Sequence, residues 1–256
     1  MSAEFPGLRL AIGTLSIVRV RMDAADRRTT GRAMACAPLV GAGIGLAAAA
    51  AGWAARAYTD SEFVAAVAAV GVYAVLTRAL HLDGLADVAD GLGSARPRSQ
   101  ALEVMKRSDI GPFGVVSLLL VLALQIACVM AAYGQHRGGL AIIIAAVAGR
   151  LAITLACTPR VPSARPDGLG AWVAGSVGMR TATGVAVLCI GASAGLGFVR
   201  GTTGALLAGA AVLAGAACAL ALLRRCVKRF GGITGDVLGA LVETAATAAL
   251  VVLAAR

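Results

Sequence analysis

The chain has few charged and few aromatic residues for its length. Of its 256 residues, 14% are charged and 4% are aromatic, whereas 59% are hydrophobic. Soluble domains carry about 25% charged residues, so this composition excludes an ordinary soluble protein. Apolar runs near or above about 18 residues recur along the chain, and a run of that length crosses the roughly 30 Å hydrocarbon core of a bilayer.

Paired cysteine motifs and alternating apolar patterns are also missing. The six cysteines stand singly with no C-x-x-C pair, which argues against a zinc site and a disulfide framework. The apolar segments are continuous, whereas the strands of a transmembrane β-barrel alternate. No apolar core precedes a small-residue cleavage site near the N-terminus, so no signal peptide is expected. The remaining fold class is all-α, a polytopic integral membrane bundle of helices.

We predict about seven transmembrane helices in a single membrane-embedded domain covering residues 1–256. The segment 5–20 is interrupted by arginines and is predicted to be an amphipathic helix in the membrane interface. The 33 glycines are typical of closely packed membrane helices, and Gly41 and Gly45 have the G-x-x-x-G spacing of a packing contact. The predicted spans are 33–55, 62–80, 113–133, 139–158, 183–199, 203–223 and 236–255.

Basic residues are concentrated on one side of this predicted topology. The N-terminal segment and the loops near 81–112, 159–182 and 224–235 hold 17 Lys and Arg residues, while the opposite side holds 4. The positive-inside rule therefore places the N-terminus and the 81–112 segment in the cytoplasm, at a cytoplasmic (inner) membrane. The net charge of the chain is +10. We expect anionic lipid or an anionic substrate, and not nucleic acid, to bind its basic residues. The sequence leaves the oligomeric state open, a homo-oligomer included.

Acidic residues gather on the same predicted side. Asp83, Asp87 and Asp90 stand at i, i+4 and i+7, so they share one helix face and repel each other unless a cation lies between them. Mg²⁺ takes oxygen ligands and is typically held by a few carboxylates together with substrate phosphates. Asp236 and Glu243 also share a face at the mouth of the last span, where carboxylates are usually functional. The sequence therefore predicts a Mg²⁺ site built from these five carboxylates.

Basic residues near the acids are candidates for binding phosphate oxygens. Arg96 and Lys106 follow the first acidic stretch, while Arg150 falls inside a predicted span and is expected to meet a carboxylate or an anionic substrate. His81 is a candidate base or metal ligand. A structural role for His81 and a topological role for Lys106 are the alternatives. The candidate catalytic residues are His81, Asp83, Asp87, Asp90 and Lys106.

The stretch HLDGLADVADG at 81–91, followed by ALEVMKRSDIGPFG at 101–114, resembles the cobalamin synthase family of adenosylcobinamide-GDP ribazoletransferases. The family usually reads MKDSRIGTFG where this chain has MKRSDIGPFG, so Arg107 and Asp109 exchange the acid and the base around Ser108. The resemblance covers nearly the whole chain. Its further matching stretches are 38-PLVGAGIG-45, 164-ARPDGLG-170 and 231-GGITGDVLGALVE-243.

The resemblance implies the last assembly step of adenosylcobalamin, with Mg²⁺ as the metal. In that reaction the 3′-hydroxyl of α-ribazole, or of its 5′-phosphate, attacks the phosphorus next to cobinamide in adenosylcobinamide-GDP, and GMP leaves. The residues expected to bind substrate are Arg96, Lys106, Ser108, Arg150, Asp236 and Glu243.

Two other functions fit part of the pattern. A CDP-alcohol phosphotransferase of phospholipid synthesis has a D-x-x-D-G-x-x-A-R signature, which the stretch 87–96 approaches with one extra residue and without the second half. A cation-coupled transporter would use the same acids, but coupling acids tend to lie near the membrane midplane in repeated halves. Here the acids gather at one face and no repeat is visible, which favours the transferase.

Overall fold

The computed structural model describes residues 5–20 and 26–255, so residues 1–4, 21–25 and 256 lie outside the described part. The described chain is helical and contains no β-strand, which confirms the predicted all-α class. Its helices are α1 (Pro6–Leu15), α2 (Arg27–Ala35), α3 (Ala37–Thr59), α4 (Glu62–Leu76), α5 (Leu80–Gly93), α6 (Arg98–Val104), α7 (Pro112–Gly134), α8 (Gly138–Ala156), α9 (Gly168–Val173), α10 (Met179–Gly197), α11 (Gly201–Phe230) and α12 (Gly235–Ala254).

The seven predicted spans fall on α3, α4, α7, α8, α10, α11 and α12. By length and hydropathy, 5 segments of the described chain are able to cross a membrane, or 6 if α4 and α5 form one bent span. One of them, Met179–Phe230, is 52 residues long and contains both α10 and α11. These two helices lie side by side and antiparallel, because Gly197 faces Gly204 and Gly209 faces Ile190. The segment therefore folds back on itself, as its two predicted spans require.

The chain bends by 86° between α4 and α5. Arg78 and Ala79 adopt left-handed backbone conformations there, with φ of 56° and 53°, which is unfavourable for residues that carry a side chain. The helix predicted over 62–80 therefore ends early, at Leu76. Because α5 has only 14 residues and carries three aspartates, we treat it as lying outside the membrane-crossing part of the chain.

Helices α8 and α12 form the centre of the bundle and are the most buried of the apolar helices. Small residues allow their neighbours to approach closely. An added Cβ at Gly41 of α3 would lie 2.5 Å from the carbonyl oxygen of Ala146 on α8, and Gly45 faces the same helix. An added Cβ at Gly149 of α8 would lie 3.0 Å from the carbonyl oxygen of Val242 on α12. The predicted G-x-x-x-G pair is therefore a helix-packing contact.

The N-terminal segment forms a shorter helix than predicted. Helix α1 ends at Leu15, and the backbone N–H of Ile17 donates to the carbonyl of Leu76 at the end of α4, at 2.8 Å. Gly7 of α1 packs against Arg32 of α2. The segment is thus held against the bundle next to the bend between α4 and α5.

Loops from distant parts of the chain meet at the α5 end of the bundle. The N–H of Ala164 donates to the carbonyl of Ile233 at 3.0 Å. The Arg98 guanidinium donates to the carbonyl of Ala164 at 3.3 Å, and the Arg165 guanidinium donates to the carbonyl of Leu102. The loops before α7, after α8 and before α12 therefore lie together, next to the three aspartates of α5.

Candidate active site

Helix α5 packs directly against the start of α12, because Gly84 has no side chain. An added Cβ at Gly84 would lie 2.6 Å from the carbonyl oxygen of Asp236 and 2.9 Å from its Cα. The same contact continues one turn earlier on α5 and one turn later on α12. There, an added Cβ at Gly239 of α12 would lie 3.1 Å from the Cα of His81. The structure therefore brings the acid-bearing ends of α5 and α12 together, although about 150 residues separate them in sequence.

Three aspartates converge at this contact, and we call Asp83, Asp87 and Asp236 the acid cluster. Asp83 is exposed, while Asp87 and Asp236 are partly buried. Burial, followed by the charges of Asp236, Asp83 and Asp90, raises the pKa of the Asp87 carboxyl to about 7, while the Arg165 guanidinium lowers it. The carboxylates around Asp87 therefore carry more negative charge than the Arg165 guanidinium neutralises.

Arg165 has a role at the acid cluster that the sequence analysis missed. Its guanidinium is anchored on the carbonyl of Leu102, and its charge favours the ionised form of Asp87. The available signal was the position of Arg165 in the family stretch 164–170. Thr234, the N-cap of α12, also contributes, because its hydroxyl donates to the Asp236 carboxylate at 3.2 Å.

Asp90 has structural partners that distinguish it from the acid cluster. Its buried carboxylate accepts hydrogen bonds from the backbone N–H groups of Gly111 at 2.8 Å and Gly114 at 3.0 Å. Both amides belong to the start of α7, where the free N–H groups of a helix favour a carboxylate. In this structure Asp90 fixes α7 against α5, and its predicted catalytic and metal-binding roles stay predictions.

The oxygen donors of the acid cluster suit Mg²⁺ held jointly with a substrate. Within the described ranges, no group of three or more His, Cys, Asp and Glu side chains is arranged to hold a metal ion by itself. Mg²⁺ usually takes one or two carboxylates and completes its shell with water and substrate phosphates. Within the described part of the chain, no hydrogen bond is directed to the carboxylate of Asp83 or Asp87. Their oxygens are therefore available to a cation.

Arg150 is fully buried and lies at the centre of a polar network inside the bundle. Its guanidinium donates to the Tyr73 hydroxyl, lies 4.7 Å from the centre of the Tyr73 ring, and lies 3.4 Å from Nδ1 of His81. Arg150 forms no salt bridge with a carboxylate among the described residues, but its charge interacts with the Glu243 carboxylate. The Tyr73 ring and Nδ1 of His81 also stabilise its charge. Its predicted role in binding substrate stays a prediction.

Glu243 lies deeper in the bundle than Asp236 and has its own partners. Its carboxylate accepts a hydrogen bond from Nε2 of Gln125 at 2.8 Å, and the same nitrogen donates to the Thr247 hydroxyl at 2.9 Å. Only 2% of the surface of Glu243 is exposed. Its predicted metal-binding role stays a prediction. Neither Gln125 nor Thr247 stands out in the sequence, because single polar residues are common in apolar helices.

One of the three predicted phosphate-binding residues between α5 and α7, Arg96, lines a second cavity. Arg96, Arg107 and Asp109 line a cavity of about 460 Å³ at the end of α5. Lys106 and Ser108 are exposed and do not line this cavity. The two residues that depart from the usual family pattern, Arg107 and Asp109, therefore face the same space as Arg96.

Comparison with known proteins agrees with the resemblance seen in the sequence. A family model described as cobalamin-5-phosphate synthase matches residues 7–254. A protein of Frankia casuarinae named adenosylcobinamide-GDP ribazoletransferase is 48% identical, over 96% of this chain and 93% of its own length. Relatives with the same name from Nocardioides sp. and Pseudomonas aeruginosa are 39% and 38% identical, over 97% and 99% of this chain and 98% and 100% of their own lengths.

No solved structure matches the chain. The family match includes both helices that supply the acid cluster, α5 and α12, and it extends from α1 to the end of the bundle. The chain belongs to the cobalamin-5-phosphate synthase family.

Proposed function

We propose that this chain is an adenosylcobinamide-GDP ribazoletransferase that acts with Mg²⁺ at the cytoplasmic face of the membrane. It joins adenosylcobinamide-GDP to α-ribazole, or to α-ribazole 5′-phosphate, and releases GMP. The observation that carries the proposal is the contact of α5 with α12 at Gly84, which assembles the acid cluster in a chain of this family. Three relatives covering nearly the whole chain bear the same enzyme name.

The proposed reaction is a displacement at phosphorus. The ribose hydroxyl oxygen forms a bond to the phosphorus next to cobinamide, the bond from that phosphorus to the bridging oxygen breaks, and GMP leaves with the bridging oxygen. The hydroxyl proton passes to a carboxylate of the acid cluster. Such a displacement depends mainly on placement and on neutralisation of charge. Mg²⁺, when bound, supplies that neutralisation at the pyrophosphate.

Each residue of the site has a proposed role that follows from its position. Asp83 and Asp87 from α5 and Asp236 from α12 approach from two helices, so together they would hold the cation against the pyrophosphate from more than one side. Arg165 offsets part of the surplus negative charge at Asp87. Arg96 and Arg107 line the neighbouring cavity, and we assign the GDP end of the substrate to their side.

A cytoplasmic orientation is supported by the way the loops meet. The loops before α7, after α8 and before α12 are joined by hydrogen bonds at the α5 end of the bundle. These loops belong to the set that holds 17 of the Lys and Arg residues, against 4 on the opposite side. The acid cluster and its soluble substrates would therefore face the cytoplasm.

The test is a transfer assay on the purified full-length chain in detergent. With adenosylcobinamide-GDP, either form of α-ribazole and Mg²⁺, we expect GMP and a cobalamin product, both identified by mass. EDTA should abolish the reaction, and added Mg²⁺ should restore it. No product with either form of α-ribazole would refute the transferase, whereas full turnover by metal-stripped enzyme would refute only the role of the metal.

Variants of the acid cluster sharpen the test. Asp87→Asn and Asp236→Asn are each expected to lower the rate by about 100-fold or more, because each removes a carboxylate that would hold the cation against the reacting phosphate group. Asp60→Asn is the matched control, since Asp60 is an exposed carboxylate at the opposite end of α4, paired with Arg56. The phosphotransferase and transporter alternatives gain no support from the structure or from the named relatives.

A further inference from the structure

A small cavity lies beside the acid cluster, between α1, α2, α5, α8, α9 and α12. Its volume is about 190 Å³, which is below the roughly 300–1,000 Å³ typical of sites that enclose a whole drug-sized ligand. Its polar lining residues are Thr14, His81 and Asp236. The apolar side chains around it are Leu15, Met34, Leu80, Ile153, Leu169 and Leu238. The cavity therefore suits one apolar part of a substrate.

His81 lines this cavity and carries an unpaired hydrogen-bond donor. Nη2 of Arg150 lies 3.4 Å from Nδ1 of His81, and a guanidinium has donors only. Nδ1 therefore accepts, and a neutral imidazole carries its proton on Nε2. Only 3% of the His81 surface is exposed. Its Nε2 is buried and has no hydrogen-bond partner within the described part of the chain. A buried donor without an acceptor is unfavourable, so a ligand that supplies an acceptor is stabilised here.

The candidate role of His81 as a base or a metal ligand stays a prediction, and the contact with Arg150 favours a donor role instead. A base or a metal ligand needs a free lone pair on the nitrogen that faces the reaction. Here the lone pair is on Nδ1, which faces Arg150. The other polar group, the Thr14 hydroxyl, donates to the carbonyl of Leu10 in its own helix at 2.6 Å. His81 is therefore the unpaired donor at the cavity wall.

We propose that this cavity binds the benzimidazole ring of the ribazole substrate, with Nε2–H of His81 donating to the ring nitrogen that does not carry the ribose. The inference rests on the proposed function. A benzimidazole riboside has a flat apolar bicyclic ring with one free acceptor nitrogen, which matches apolar walls with one donor. Guanine carries several polar groups along its edges, which these walls would leave unpaired. The corrin ring is far too large for the space.

Asp236 links this cavity to the reaction, because it lines the cavity and also belongs to the acid cluster. A ring seated against His81 directs its ribose towards Asp236, where the attacking hydroxyl has to meet the phosphorus. His81 is then a specificity-determining residue. It selects bases that have an acceptor nitrogen over bases of the same shape that lack one.

The experiment compares α-ribazole with its indole isostere, in which a C–H group replaces the free ring nitrogen. Native enzyme is expected to use the indole riboside with a kcat/KM lower by roughly 10- to 100-fold, because the donor is left unpaired. His81→Leu removes the donor and should use the two ribosides about equally. Tyr73→Phe is the matched control, since it alters the other partner of Arg150 without lining the cavity. It should retain the preference.

Equal use of the two ribosides by native enzyme would overturn the inference and leave the transferase intact, because product still forms. A preference that persists unchanged in folded His81→Leu would overturn it as well. If His81→Leu does not fold, equilibrium dialysis of the two ribosides against native enzyme decides, with tighter binding of α-ribazole expected. If neither riboside gives product, the proposed function fails, and the inference fails with it.

Discussion

Replacing Gly84 with alanine should separate the acid cluster without removing any of its carboxylates. The new Cβ would meet the carbonyl oxygen of Asp236 at 2.6 Å and its Cα at 2.9 Å. Both are backbone atoms, so no side-chain rotation relieves the contact. Reaching an ordinary contact of 3.4 Å requires α5 and α12 to move apart by about 0.8 Å.

A shift of this size has two measurable effects. Misplacing catalytic groups by about 1 Å lowers rates by about 100-fold, so we expect the Gly84→Ala enzyme to lose roughly that factor in kcat. Overpacking a helix interface costs about 1–3 kcal/mol, and alanine recovers up to about 1 kcal/mol relative to glycine inside a helix. The loss of activity should therefore exceed what the modest loss of stability explains.

Gly71→Ala is the matched control, because a Cβ added at Gly71 of α4 has no atom within 4 Å. It should keep native turnover and be as stable as the native chain or slightly more so. Both variants are assayed for transfer at saturating substrate, and their thermal unfolding is followed in the same detergent. Turnover by Gly84→Ala within twofold of the native value would show that the contact of α5 with α12 does not set the geometry of the site.

Three further predictions concern the metal, a helix cap and the topology. Asp87→Asn and Asp236→Asn should each raise the Mg²⁺ concentration for half-maximal rate by about tenfold or more, since each removes an oxygen ligand; an unchanged Mg²⁺ requirement would place the metal elsewhere. Asp90→Ala should lower the free energy of unfolding, measured by denaturant titration, by about 0.5–2 kcal/mol, because the α7 cap is lost. Asp90→Asn should lower it by less. If both variants are as stable as the native chain, Asp90 does not cap α7. In a cysteine-free background, a cysteine at the exposed position Ser99 should escape a membrane-impermeant thiol reagent in intact cells, while one at Thr202, exposed on the opposite predicted side, should be labelled; the reverse pattern would invert the topology.

The helices are largely predictable from the sequence, because a membrane span requires a long apolar run and few other features produce one. The bend after α4 is not predictable in this way. Arg78 and Ala79 adopt left-handed conformations that glycine or asparagine would have signalled, and neither residue type is there. A hydropathy pattern therefore joins α4 to the start of α5, whereas the bend accompanies the packing of α5 on α12.

The sequence predicts which aspartates belong to the acid cluster, but it does not predict that Asp90 has a different role. Carboxylates are rare in this chain, so Asp83, Asp87 and Asp236 stand out. Helical spacing treats Asp90 as their equivalent, because spacing contains no information about the amides of the next helix. The cap on α7 forms because Gly111 lies against Asp90 of α5. The segment that precedes Gly111 is held by contacts with distant parts of the chain, such as that of Arg98 with Ala164.

The burial of Arg150 bears on the order in which this protein is built into its membrane. Tyr73 and His81, the residues that contact its guanidinium, precede it by 77 and 69 positions. An arginine at the centre of an inserting helix costs about 2.5–3.5 kcal/mol, but the ribosome has already delivered both partners when α8 emerges. Glu243 likewise follows Gln125, by 118 positions. Arg150 and Glu243 thus each follow a hydrogen-bonding partner in the chain, and these contacts can form in the order of synthesis.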